Sequence, residues 1–454
     1  MKKELFSNEI TILRDTFRRL LRRRAKTNII KLIDKTHPAD LALLFRYFNE
    51  NEQEEIFNDL KPSEDAAEFL NELDESISIR LLENESPERI AQILEYASSN
   101  EQAYLMGLVD DKYATSVIDL LKAEKQEELE EMMAYPEDSA GILMYTDVFT
   151  LHEDTKAKDA IYALQDQGDA EMVFYLYTLD NDGRLTGVIS LRDLVTTNGD
   201  TMLKDIMSKQ IHVVRPETDQ EEVARIVSQY NFLAVPVVDS DERLLGIVTV
   251  EDVVDIIREE ATEDFLQMVG AGKDREILLK SSWENARMRV PWLFASWVGG
   301  ILAAFIIGVF DNVLQSTIAL AAFIPVIMGM GGNIGTQSST MIVRGLATGR
   351  VSIENSVKIL FKEIRVGLIL GILYGLLLGF FAIFQFIDAS PMIGIVVGLS
   401  ICISMIIAAT IGSLVPLILN RFEIDPAIAT GPFVTTAIDI LGVAFYFIVA
   451  GAFL

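Results

Sequence analysis

TAIDILGVAF, residues 436–445, sets one aspartate in the middle of an otherwise apolar run. From Pro426 to the C-terminus the chain carries no other charge, and four comparable runs precede it: 290–310, 312–343, 366–387 and 389–420 are all free of Asp, Glu, Lys and Arg. A helix needs about 20 apolar residues to cross the hydrocarbon core of a bilayer. Each run therefore reads as one span, since even the longest, 312–343 and 389–420, would leave almost no turn if split in two. Five transmembrane helices are predicted.

Basic residues orient these spans, because they collect on the cytoplasmic side. Arg287 and Arg289 precede the first span, Arg344, Arg350, Lys358, Lys362 and Arg365 lie between the second and third, and Arg421 follows the fourth. The intervening loops carry the lone acids Asp311 and Asp388. This predicts soluble N-terminal domains in the cytoplasm, a multi-pass protein of the cell (inner) membrane, and a C-terminus outside.

An aspartate at mid-span costs about 2.5–3.5 kcal/mol to insert, so it faces a protein interior or water. Thr435 and Thr436 share the face of Asp439, followed by Pro432 and, one turn on, Gly442. Asp425 lies about four turns earlier, which on a continuous helix returns to nearly the same face. A second stripe runs through PVIMGMGGNIGTQSST, residues 325–340, with Gly329, Asn333, Thr336, Gln337 and Thr340 at spacings of three and four. Amides and hydroxyls can bond the waters of a hard cation, and one carboxylate per chain suits Mg²⁺, which sheds its waters reluctantly. A symmetric dimer would bring two copies of Asp439 together. The plainer reading is that small and polar residues only hold helices together.

The rest of the chain is acidic. The sequence has 39 basic and 67 acidic residues, a net charge of −28, and the part from Glu284 onward is balanced at eight of each. The segment 1–283 therefore holds all of the excess, which argues against nucleic acid as a partner and leaves cations as a natural ligand class. Cys402 stands alone in an apolar run, so neither a disulfide framework nor a cysteine metal site is expected. The opening MKKELFSNEI has no signal-peptide pattern.

Three segments opening at Pro38, Pro62 and Pro87 repeat with a period of 24 to 25, and DDKYATSVIDLL (110–121) reads as a fourth. Proline in a first turn followed by apolar residues at i, i+3 and i+4 starts a helix, and a regular period implies a helical superstructure. RRLLRRRAK (18–26) reads as a basic N-terminal helix. From about residue 143 the pattern turns to alternating strand and helix. LDNDGRLTGVISLRDLV (179–195) aligns with VDSDERLLGIVTVEDVV (238–254) at an offset of 59, pairing Gly187 with Gly246, Ser190 with Thr249 and Asp193 with Asp252. Each copy predicts a hairpin, then a helix capped by a hydroxyl with an acid three residues on. Between this module and the first span lies a strongly acidic helix carrying Glu251, Asp252, Asp255, Glu259, Glu260, Glu263 and Asp264. Carboxylates three and four apart repel one another, and a divalent cation would relieve that repulsion.

Taken in order, the helical repeats, the motifs GVISLRD and GIVTVED, the acidic connecting helix and the membrane motifs PVIMGMGGNIGTQ and DPAIATGPFVTTAIDILG resemble the MgtE magnesium channel family over nearly the whole chain. The resemblance implies a multidomain protein: an α-helical repeat domain (1–142), paired α/β CBS domains (143–200 and 201–258), a connecting or plug helix (259–285) and a five-helix α transmembrane domain (286–454). It implies a homodimer whose second and fifth membrane helices line one pore, with Asp439 at the ion site, Asn333, Gly329, Gln337, Thr435 and Thr436 along the wall, and Asp425 near the cytoplasmic mouth. It further implies Mg²⁺ selectivity and closure by intracellular Mg²⁺ held between the cytoplasmic domains. By similarity, Gly141, Glu221, Asp252, Asp255, Glu260, Glu263 and Asp264 match positions of that sensor, while Asn231 supplies an amide where the pattern has an aspartate. ATP at the CBS pair would meet Tyr175, Arg192, Asp193 and Phe232.

Rival classes fare differently. An intramembrane metalloprotease needs ligands such as HExxH, and His37, His152 and His212 all precede the membrane half. A cation-coupled secondary transporter of divalent cations (Mg²⁺, Co²⁺, Mn²⁺) and a cation receptor without flux both fit the same residues.

Overall fold

The structure is a computed structural model that describes residues 2–166, 174–272, 277, 280–352, 355–387, 390–422, 424–429 and 431–454. Asp388, the expected marker of the second outer loop, lies outside the described residues. The chain forms two compact units, Met1–Ile257 and Arg258–Leu454.

The first unit opens with α1 (Lys2–Arg22) and α2 (Lys26–Ile33). The basic segment 18–26 is thus broken, because Arg24 adopts a left-handed backbone (φ 49°) between the two helices. Four helix pairs follow: α3 (Pro38–Phe45) with α4 (Glu50–Asp59), α5 (Glu64–Asn71) with α6 (Glu75–Glu83), α7 (Pro87–Leu94) with α8 (Ser99–Gly107), and α9 (Asp111–Ile118) with α10 (Ala123–Met132). The sequence period marks the first helix of each pair. The second helices start on other caps, as in the capping boxes of Asn49 with Glu52 and Ser98 with Glu101. Residues such as Leu44, Phe45, Phe69, Leu82 and Ile93 bury the core of this superstructure.

After α11 (Ala140–Leu143) the chain enters the paired α/β module: β1 (Thr150–His152), α12 (Ala157–Asp166), β2 (Tyr175–Leu179), β3 (Leu185–Ser190), α13 (Leu191–Thr196), α14 (Gln220–Tyr230), β4 (Ala234–Val238) and β5 (Leu244–Thr249). β1 pairs parallel to β2, and β2 pairs antiparallel to β3. The β4–β5 hairpin repeats the β2–β3 hairpin with a register shift at the equivalent place. The two copies touch where Leu185 N donates to Glu242 O at 2.9 Å. Each copy caps its next helix as the sequence predicts: Asp193 N donates to Ser190 Oγ at 3.1 Å, and Asp252 N to Thr249 Oγ1 at 3.4 Å. The second cap opens α15 (Val250–Met268), which runs on through the division between the units.

In the second unit, five helices are long and apolar enough to cross a membrane: α16 (Ser282–Val309), a span of Ile318–Ala347 that contains α18 (Ile324–Ala347), α19 (Ser356–Gln385), α20 (Met392–Arg421) and α21 (Pro432–Phe453). The short α17 (Asp311–Ser316) links the first two. α19 and α20 pack along glycines spaced one helical turn apart. A Cβ at Gly375 or Gly379 would lie 2.5 or 2.6 Å from the carbonyl oxygens of Gly398 and Gly394. Apolar attraction between helices vanishes in lipid, so close backbone approach through small residues holds them.

Candidate functional site

The polar stripe of α18 lies on the face that the bundle leaves uncovered. Gly329, Asn333, Gln337 and Thr340 are exposed, and a Cβ at Gly329 would meet nothing within 4 Å. The opposite face, with Ile327, Gly331, Ile334, Gly335, Ser338 and Ile342, is buried. α21 runs beside it: Ile438 packs on Gly331, and the Thr435 methyl stands 3.9 Å from where a Cβ of Gly332 would sit. Asp439 follows Thr435 by one turn and is half-buried, and among the described residues its carboxylate has no hydrogen-bond or ion-pair partner.

Two expectations about this stripe change. Asp425 is not on the Asp439 helix: α20 ends at Arg421, a 3₁₀ turn spans Pro426–Ala429, and α21 starts only at Pro432. Two prolines and a glycine break the helix, so counting 100° per residue does not carry across the gap. Asp425 instead caps that turn, accepting from Ala427 N at 2.8 Å. Thr436 faces α16, its methyl filling the space a Cβ of Gly299 would need, and so it packs helices together. Thr435 Oγ1 donates back to Gly431 O at 3.1 Å.

Acidic groups gather beside the start of α21. Burial, reinforced by neighbouring Asp425, Glu260 and Glu263, pushes the Asp264 carboxyl up from 3.8 to about 6, and Arg344 pulls it partly back. Gln267 Nε2 donates to Glu263 Oε1 at 2.9 Å. Beyond α15, Gly270 takes a left-handed backbone (φ 69°) with Pro432 Cγ 3.1 Å from where its Cβ would be, and Met268 O crowds Gly431. The acidic end of α15 therefore abuts the first turn of the helix that bears Asp439.

The remaining sensor positions lie in the first unit. Asp252 is held by the Thr249 hydroxyl in the cap of α15, and burial raises its carboxyl to about 6. Asp255 is exposed on the same helix. Gly141 N donates to Pro216 O and Ala140 N to Thr218 O, both at 2.8 Å, which fastens α11 beside the start of α14, where Glu221 N donates to Asp219 Oδ1. A Cβ at Gly141 would lie 2.5 Å from the Tyr135 ring. Asn231 ends α14 in a left-handed conformation (φ 55°), a role for which its short amide is suited. Among the described residues no three His, Cys, Asp or Glu side chains of this single chain converge to hold a metal ion.

Between the two hairpins lies a cavity of about 260 Å³, to which Tyr175, Asp193 and Phe232 all contribute. Arg192, the fourth expected residue, is an exposed neighbour of Asp193 outside the lining. Tyr177 and His212 are among the lining residues that the sequence reading did not assign to this site. It also missed a buried pair in the membrane unit: Ser338 Oγ donates to Glu363 Oε2 at 2.9 Å, and Glu363 is 5% exposed. The third charge-free run begins after Arg365, but α19 starts at Ser356 and carries Glu363 into the bundle. A lone acid between Lys362 and Arg365 reads as loop unless helix periodicity is followed upstream.

Comparisons with known proteins cover both units. A family described as divalent cation transporter, MgtE, matches residues 324–449, the MgtE intracellular N domain matches 36–138, and the CBS domain matches 140–198 and 203–259. The magnesium transporter MgtE of Bacillus subtilis (strain 168) is 31% identical over 424 residues, 93% of this chain and 93% of that one. The magnesium transporter MgtE of Thermus thermophilus is 35% identical over 427 residues, 92% of this chain and 94% of that one. A crystal structure of the cytosolic domain of the Mg²⁺ channel MgtE in complex with ATP is 33% identical, with a TM-score of 0.51, and covers 54% of this chain and 99% of that one.

Proposed function

This chain belongs to the MgtE family of magnesium transporters, and from that premise we propose that it is a Mg²⁺-selective channel for magnesium uptake, closed by Mg²⁺ on its cytoplasmic side. The observation that carries this reading is the uncovered polar face of α18 beside Asp439. Amide, hydroxyl and carboxylate groups cannot face lipid without a heavy desolvation cost. They face either water or a second copy of the chain, and a homodimer that joins these faces gives both. Two Asp439 carboxylates then neutralise one divalent ion, while Asn333 and Gln337 bond its waters. That arrangement suits an ion that keeps its hydration shell.

Closure follows from the acidic end of α15. Glu260, Glu263, Asp264 and Asp425 repel one another beside the first turn of α21. A divalent cation removes that repulsion and lets α15 press on the pore helix; its loss drives the two apart. The cavity between the hairpins takes a nucleotide, with ATP as the ligand that the related cytosolic domain binds. The distribution of basic residues supports N-terminal domains inside the cell membrane and a C-terminus outside.

The test is Mg²⁺ flux into proteoliposomes at low and high internal Mg²⁺, with Asp439→Asn beside the wild type, and with and without an imposed proton or sodium gradient. A channel gives flux that follows the Mg²⁺ gradient alone, stops at high internal Mg²⁺ and is lost in the variant. Flux that requires the second gradient would replace this reading with coupled transport.

A further inference from the structure

One buried acid in the membrane unit has no part in the pore or its closure. Glu363 stands on the buried face of α19, a turn before Gly367, and on that face Gly371, Gly375 and Gly379 follow. Ser338 of α18, itself 4% exposed, donates its hydroxyl to Glu363 Oε2 at 2.9 Å, and among the described residues the carboxylate has no ion-pair partner. Burying a carboxylate without a cation is costly. Small residues alone join helices in lipid, as the glycines between α19 and α20 do, so holding helices together does not call for a charge.

The hydroxyl that Glu363 holds differs from its neighbours. Thr336 Oγ1 donates to Gly332 O, Thr410 Oγ1 to Ile406 O and Ser413 Oγ to Ala409 O, each four residues back on its own helix. Ser338 reaches across to α19 instead, and both helices lean on α20: a Cβ at Gly412 would lie against Gly335 O, and one at Gly367 would lie 2.9 Å from Met405 O. Such glycine crossings set how closely helices approach, whereas a directional hydrogen bond sets how a helix is turned. Ser338 directly follows Gln337, and each residue is 100° of turn, so any rotation that takes Ser338 off Glu363 also takes Asn333 and Gln337 off the uncovered face. We propose that Glu363 is a positioning residue of the ion path: through Ser338 it fixes the rotation of α18 that keeps Asn333 and Gln337 on that face. The inference rests on the selective-pore reading and adds the group that holds the pore wall in register from behind.

The experiment compares Mg²⁺ with Ca²⁺ flux into proteoliposomes for wild type, Ser338→Ala, Glu363→Ala, the double variant and Glu363→Gln, with melting temperatures of the same preparations. Preference for Mg²⁺ is expected to fall about tenfold in each alanine variant, the scale of one hydrogen bond to a charged group. It should fall no further in the double variant, because the two side chains act as one link. Glu363→Gln keeps the length and an acceptor oxygen and should retain most of the preference. A lowered melting temperature with unchanged preference would reduce the pair to packing and overturn the assignment. So would wild-type preference in Ser338→Ala, or a Glu363→Gln no better than Glu363→Ala. Should Glu363→Ala fail to fold, Ser338→Ala decides, since it deletes a single oxygen. If the wild type passes both ions alike, the selective-pore reading itself fails and the assignment falls with it.

Discussion

Two regions of the molecule treat their carboxylates in opposite ways. The segment 1–283 carries 59 acidic side chains against 31 basic ones, and at the acidic end of α15 burial, reinforced by Asp425, Glu260 and Glu263, raises the Asp264 carboxyl to about 6. The membrane helices hold few acids, and Asp439 stands on its own helix with no other charge. Crowded carboxylates bind a cation because binding relieves strain that is always present, so occupancy tracks the surrounding concentration. An isolated carboxylate at an uncovered polar face attracts a cation without trapping it, since conduction needs binding weak enough to release. Under the proposed function, one chain senses Mg²⁺ with the crowded arrangement and passes it with the isolated one.

The comparison breaks most sharply at Asp439. Asp439→Asn removes a charged acceptor, worth about 1.5–3 kcal/mol to the groups it binds, or about 10–100-fold in ion occupancy. Flux in proteoliposomes is expected to drop by that factor while cytoplasmic Mg²⁺ still protects the first unit from protease. Loss of both responses would mean that the two arrangements are not separable.

The wall behind the polar face of α18 should prove rigid. A Cβ at Gly412 would lie against Gly335 O, so Gly412→Leu must push α20 off α18 at a cost of about 1–3 kcal/mol. Lower thermal stability of the detergent-solubilised protein, with reduced flux, is the expected result. Unchanged stability would show that the close crossing does not hold the bundle.

Asp264→Asn tests the crowded end. The folded Asp264 binds its proton more tightly than the ordinary value of 3.8 allows, so this docked arrangement is favoured below about pH 4 and loses that advantage as pH rises through about 6. Neutralising the side chain acts like permanent protonation. The internal Mg²⁺ needed for half-closure should fall about tenfold, once the raised pKa is discounted for partial solvent exposure. The wild type should need less Mg²⁺ at pH 5.5 than at pH 7.5, and Asp264→Asn should flatten that difference. An identical pH response in both would remove Asp264 from the gate.

The smallest effect is expected at the start of α15. Thr249→Ala removes the hydroxyl that the Asp252 cap uses, worth about 1 kcal/mol of helix stability. Hydrogen exchange should rise in the first turn of α15 with little change in flux. A large loss of Mg²⁺ closure would show that the cap, rather than charge, transmits the signal.

Much of this architecture is local and therefore readable from residues in order. Charge-free runs long enough to cross a bilayer define five spans, because no water inside the membrane can solvate a stray charge. Pro38 and Pro87 stand in the first turns of their helices, Pro62 stands two residues ahead of α5, and the repeat of GVISLRD as GIVTVED announces two hairpins with hydroxyl caps at Ser190 and Thr249. What depends on which helix passes beside which was not readable. Asp425 left the Asp439 helix because the chain breaks between them. Thr436 turned to α16 because Gly299 leaves room for its methyl. Glu363 entered the bundle because α19 begins at Ser356, well before Arg365, and Ser338 waits on α18. Hydropathy, caps and repeats act within a few residues of chain, so the sequence by itself determined the spans, the caps and the domain order. Side-chain neighbours across helices and hairpins depend on packing between remote segments, and only the tertiary structure decided those.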